Sequence, residues 1–137
     1  MNKKPKNIFV QGRIDASFIA DSIQKHSTQT EIGAHSIFLG QVRSEVKDEK
    51  SVAEVDYTAD EAASLEQMHL VREAIFAKYP LTCMHIYHSL GRVKAGEIFL
   101  FVFTSSRHHK DAIASCEEVV ARIKKELPVK SKEIMED

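Results

Sequence analysis

Residues 97–105 read EIFLFVFTS, and from Ile98 to Phe103 no polar side chain interrupts the run. Successive side chains of a strand point to opposite faces, so a strand of this composition is apolar on both. Such a strand belongs in the middle of a sheet with a further layer packed on each side. The chain offers helices for those layers. In DASFIADSIQKH (15–26), Asp15 reads as an N-cap, and Phe18, Ile19 and Ile23 share one face. Thr58 and Glu61 fit a capping box that opens a second helix. It carries Leu65, Met68, Arg72, Ile75 and Tyr79 at helical spacing until Pro80 stops it. A third repeats Ala112, Ile113, Cys116, Val119, Val120, Ile123 and Leu127 every three or four residues and ends at Pro128.

Around these helices, NIFVQGRI (7–14), IGAHSIFLGQV (32–42), VAEVDY (52–57) and TCMHIYHSL (82–90) read as strands. RSEVKDEKS (43–51) reads as a charged mobile loop, and GRVKAG as the turn into the doubly apolar strand. The order β-α-β-β-α-β-β-α, with a short final extended segment, implies an α+β fold. Three main helices would cover a mixed or antiparallel sheet rather than a doubly wound one.

At 137 residues, a single domain over 7–137 is expected, preceded by a short disordered arm at 1–6. The opening MNKKPKN is basic but leads into no apolar stretch of signal-peptide type. No apolar run has the length of a transmembrane helix, so no membrane role is expected and the cytoplasm is the default location. The 19 basic and 20 acidic residues nearly cancel, which argues against a nucleic-acid partner. Cys83 and Cys116 form no CxxC pair and read as small buried hydrophobes of a reducing compartment. HExxH, GxSxG and GxxxxGK[ST] are all missing. No metal, no cofactor and no acyl-enzyme chemistry are expected.

The polar residues that remain are cationic. At 100° per residue, Arg122 and Lys125 of RIKKELPVKSKE (122–133) point away from the apolar stripe into solvent. Lys124 falls at the stripe's edge, where its ammonium either reaches a cleft or simply snorkels to water. TSSRHHK (104–110) opens the third helix with hydroxyls, histidines and bases. It fits an anion site at a helix N-terminus or, equally, a serine-capped start with a polar collar. In FLGQVR (38–43), Arg43 stands at the mouth of a loop, either for bidentate anion binding or as a surface arginine. His85 and His88 fall on opposite faces of one strand, and with His35 they read as packed or exposed histidines. Arg43, His108, His109, Lys124 and one of Lys130 or Lys132 together suit a small anionic metabolite or a carboxylate terminus.

FLGQVR, HSLGRVKAGE (88–97), TSSRHHKDA (104–112) and RIKKELPVKSKE, in this order and spacing, resemble the catalytic (large) subunit of molybdopterin synthase. The similarity runs from about residue 7 to the C-terminus. It implies an α/β hammerhead fold and a central homodimer. Each end would bind a small ubiquitin-like sulfur carrier with a thiocarboxylated Gly-Gly tail, making a heterotetramer. It also implies transfer of sulfur to cyclic pyranopterin monophosphate, forming the dithiolene of molybdopterin. Carried over motif by motif, the resemblance implies that Gln41, Val42 and Arg43 are a substrate-binding stretch and that His108 and His109 are the histidine–basic pair of the substrate site. Lys124 is the helix lysine, and Ser131, Lys132 and Glu133 form the post-proline site. The implied catalytic residues are Lys124 and Lys132, with Lys130 in reserve for the second. Relatives often carry Lys at 41, Arg at 109, and Trp then Lys at 130 and 131, where this chain has Gln, His, Lys and Ser.

Two other readings stand beside this one. The chain is a non-catalytic dimeric scaffold that binds the carrier, or an unrelated enzyme acting on a phosphate metabolite. His109 and Lys124 add a metric constraint. Fifteen residues apart on one helix, they are separated by about 22 Å and cannot meet on one small substrate within a single subunit.

Overall fold

The computed structural model describes residues 7–136; the arm expected at 1–6 lies outside them. In chain order the elements are β1 (Phe9–Gln11), α1 (Ala16–His26), β2 (Ala34–Gln41), β3 (Val46–Lys47) and β4 (Lys50–Ala59). They continue with α2 (Glu61–Lys78), β5 (Leu81–Lys94), β6 (Ile98–Ser106), α3 (His109–Glu126) and β7 (Val129–Met135). The strands join in the order β2-β6-β5-β4-β3, with β1 also paired to β5 and β7 to β4. β1 runs parallel to β5 and every other pairing is antiparallel, so the sheet is mixed.

β6 lies between β2 and β5, and its alternation sets the two layers. Leu100 and Val102 face one core with Met68, Ile75, Cys116, Val119 and Ile123 of α2 and α3. Phe101 and Phe103 face the other with Ile14, against which Phe18, Ile19 and Ile23 of α1 pack. Both faces of one strand are thereby dry, as its composition requires. Arg72 of α2 is drawn into the first layer and donates from its guanidinium to the Met84 carbonyl. That burial lowers its pKa.

Several local expectations differ from what forms. The mobile loop at 43–51 is the β3–β4 hairpin, turned by Asp48 and Glu49 at φ of 50° and 67°. Both are residues in the left-handed region, which a two-residue hairpin turn requires. The GRVK segment belongs to β5. That strand pairs with β6 up to His88, bends at Gly91 (φ 84°), then pairs with β4 from Gly91 to Lys94. α2 is capped by Asp60, whose carboxylate accepts from the Ala63 N–H at 3.1 Å. Thr58 is still held in β4 opposite Lys130 and cannot make the expected capping box. Ile113 is 56% exposed, while Ser115 takes a buried place on α3 and donates to the Ala112 carbonyl. No described helix is long and apolar enough to cross a membrane.

A cationic, aromatic-walled cleft as candidate functional site

Where α3 ends, five strands converge with it on a cleft of about 350 Å³. Phe38, Gly40 and Gln41 come from β2, Tyr57 from β4, His88 from β5 and Phe99 from β6; α3 adds Lys124 and β7 adds Ser131. Tyr57 stacks on Phe99 with ring centroids 5.1 Å apart and meets His88 edge-on at 5.1 Å. Gly40 makes room for this wall: a Cβ there would stand 3.0 Å from the Phe99 ring and 3.1 Å from Leu100.

His88 is 5% exposed, and its Nδ1–H donates to the Ser89 carbonyl at 2.7 Å. A carbonyl only accepts, so Nε2 carries the lone pair in the neutral ring. Burial lowers the pKa of His88 against a smaller raising effect of that bond, which favours the neutral imidazole. Burial pushes the Tyr57 phenol up to about 12, so it remains a neutral donor.

Lys124 is the cation at the cleft. Its Nζ sits 5.8 Å from the centroid of Phe38, and it lies in the last turn of α3, where the helix dipole favours positive charge. Lys125, one residue on, is exposed and does not line the cleft. Arg122 departs from its expected place in solvent: it is half-buried and forked onto Glu126 at 2.7 and 3.2 Å.

β7 sorts the post-proline residues by strand alternation. Ser131 lines the cleft and stands opposite Tyr57 in the β4 register. Lys130 and Lys132 emerge on the other face of the strand. Lys130 borders a separate depression with Thr58, Asp60 and Pro128, and Lys132 pairs in register with Asp56. Glu133 accepts an ion pair from Lys47 at 2.6 Å. Of the β2 stretch, Gln41 lines the cleft and Val42 is buried against Tyr57 and Val93. Arg43 projects outward, its side chain 81% exposed and 3.4 Å from Glu45. His108 and His109 sit at the far end of α3, where His108 occupies the N-cap position with no side-chain bond to the helix and borders a second depression with Glu31 and Arg107.

One subunit therefore brings Gln41, Lys124 and Ser131 together and leaves Arg43, His108, His109, Lys132 and Glu133 outside the cleft. Residues 13–126 match the family model described as MoaE protein. The chain belongs to the MoaE protein family. It is 30% identical over 105 residues to a molybdopterin synthase catalytic subunit of Pyrococcus abyssi, covering 77% of this chain and 70% of that one. Against some longer curated relatives of the same description, this chain spans 63% of their length. A solved molybdopterin synthase from Staphylococcus aureus superposes with a TM-score of 0.84 at 26% identity, covering 100% of this chain and 95% of that chain. A second solved structure is a complex of subunits 1 and 2 of the molybdopterin-converting factor from Helicobacter pylori. It shares the fold with a TM-score of 0.79 at 19% identity, covering 91% and 82% of the two chains.

Sequence reasoning missed the aromatic wall of this MoaE family member. Tyr57 and Phe99 carry no local signal for a cleft, since their stacking depends on β4 and β6 flanking β5 on either side in the sheet. His88 did carry a signal. It falls on the strand face opposite His85, which separates the cleft histidine from one packed beneath α1.

Proposed function

We propose that this chain is the catalytic subunit of a molybdopterin synthase, working in the cytoplasm as a homodimer with a small sulfur-carrier subunit at each end. The observation that carries this reading is Lys124, a cation at the lip of an aromatic cleft, on the motif position where the family resemblance expects the catalytic lysine. The Tyr57–Phe99 wall suits a flat heterocycle, and a fixed ammonium suits a phosphate or a thiocarboxylate. Attack by the carrier's sulfur on cyclic pyranopterin monophosphate builds negative charge on a departing oxygen. A cation that stabilises that charge and a donor that protonates it lower the barrier. Incubation with a thiocarboxylated carrier and pyranopterin monophosphate should yield the dithiolene product, and a chain that binds both yet forms none is not a synthase.

The metric of α3 favours sites shared across the dimer. The helix spans His109–Glu126, so His109 and Lys124 stand at opposite ends. A two-fold dimer that sets one helix start against the partner's helix end gives two equivalent, complete sites. Mixed dimers of Lys124→Ala with His108→Ala would then regain activity, because one site inherits both defects and the other neither. Inactive mixed dimers from inactive parents would place each site within one subunit.

Ser131 favours a second reading, a carrier-binding scaffold without turnover. In this chain the cleft position on β7 bears a hydroxyl where relatives often show lysine. Carrier binding with no product in the same assay is the signature of that reading.

A further inference from the structure

On the face of β5 turned away from the cleft, Cys83 and His85 lie two residues apart and so project to the same side, towards α1. The last turn of α1 lays His26 over them. The His26 and His85 rings are 4.6 Å apart between centroids, and their Nε2 atoms approach to 2.8 Å. One ligand atom from each of His26, Cys83 and His85 falls within 4.8 Å of the others, and all three residues are half-buried. A second contact orients the first imidazole. His26 Nδ1 lies 2.6 Å from the Ser22 carbonyl, which can only accept, so Nδ1 carries the proton and Nε2 offers its lone pair. A backbone carbonyl on the remote nitrogen is the usual support of a metal-bound histidine.

We propose that His26, Cys83 and His85 form a mononuclear site for a borderline transition-metal ion, with zinc(II) the expected occupant. Two imidazoles and a thiolate are the donors this ion takes, and a partly exposed three-ligand set leaves the fourth tetrahedral position to water. Tetrahedral zinc needs its two nitrogens about 3.3 Å apart and each nitrogen about 3.5 Å from sulfur, from bond lengths of roughly 2.0–2.1 and 2.3 Å. The imidazoles must therefore open by about half an ångström, and the Cys83 sulfur, up to 4.8 Å from a ring nitrogen, must close by up to about 1.3 Å, within reach of side-chain rotation at the end of a helix. On binding, the proton shared between the two Nε2 atoms moves to His85 Nδ1, and the Cys83 thiol gives its proton to solvent. One proton leaves per metal bound. The site ties the end of α1 to the sheet and does not touch the cleft, so it stands or falls independently of the synthase reading.

The test uses the full chain, stripped with a chelator and titrated with cobalt(II) as a spectroscopic stand-in for zinc. One equivalent should produce a thiolate-to-cobalt charge-transfer band and strong visible bands of tetrahedral type, and one equivalent of zinc(II) should bleach them. The band should persist in Cys116→Ser, vanish in Cys83→Ser, and need at least tenfold more cobalt in His26→Gln and His85→Gln. Should the Cys83 variant fold poorly, the wild-type chain still decides: zinc(II) should slow alkylation of Cys83, mapped by peptide mass. No thiolate band at saturating cobalt overturns the site, as does a band that survives Cys83→Ser. Unchanged alkylation in zinc counts equally against it.

Discussion

Neighbouring lysines on one helix turn have different surroundings, and that difference is testable. Lys124 lines the cleft beside Phe38, while Lys125 is one hundred degrees away and borders nothing there. Lys124→Ala is expected to lower dithiolene formation by at least about a hundredfold, the scale of losing one electrostatic stabiliser of a developing charge. Lys125→Ala should leave the rate nearly unchanged; equal losses in a single-turnover assay would refute the assignment. Ser131 supports a prediction of the opposite sign. Its side chain enters the cleft opposite Tyr57, so Ser131→Lys delivers a second ammonium to the space Lys124 borders. Turnover should rise, whereas Lys132→Ala, on the other face of β7, should have little effect. A silent Ser131→Lys together with a dead Lys132→Ala would return the second catalytic role to Lys132.

Among the elements, those whose burial follows from local periodicity were legible and those made by long-range pairing were not. α1 and the end of α3 fall within a residue or so of expectation because their stripes and stops are written locally, whereas α3 starts only at His109, since Thr104–Ser106 still belong to β6 and no serine caps the helix. The β3–β4 hairpin looked like a loop because nine mostly charged residues show no alternation, and its turn relies on Asp48 and Glu49 rather than glycine. The helix protractor put Lys124 at the edge of the apolar stripe but left cleft and solvent open; the cleft itself needed the strands around it. Ser131 against Lys132 was not legible, since the face of β7 depends on its register with β4. Glycine placement at an element's edge gives a further prediction. A Cβ at Gly33 would collide with the backbone carbonyl of Arg107, which cannot rotate away as a side chain would. Gly33→Ala should cost about 1–3 kcal/mol by overpacking. That should appear in thermal unfolding as a fall of about 3 °C or more.

For the molecule as a whole, the neutral imidazole of His88 ties stability to pH. Its folded pKa lies below the unfolded value of about 6.5, so just below that pH the unfolded chain binds more protons than the native one. Stability is therefore full above about pH 6.5 and falls as acid is added. Melting curves between roughly pH 7.5 and pH 5.5 should show that decline, and His88→Gln should reduce it, leaving the part that the pKa of His35, also lowered by burial, supplies with the same sign; an unchanged slope would exclude His88 as a source. The fold's topology also orders events in time. Among the described residues, β7 pairs with β4 alone, joining Val129 to Ala59 and Met135 to Val52. Contacts between such distant parts of a chain close only after a large entropic loop has been overcome, and an edge strand held on one side is among the first segments to open. The wall bearing Ser131 should thus be the last part of the cleft to assemble and the first to open, and an occupant of the cleft should act as a clasp on β7.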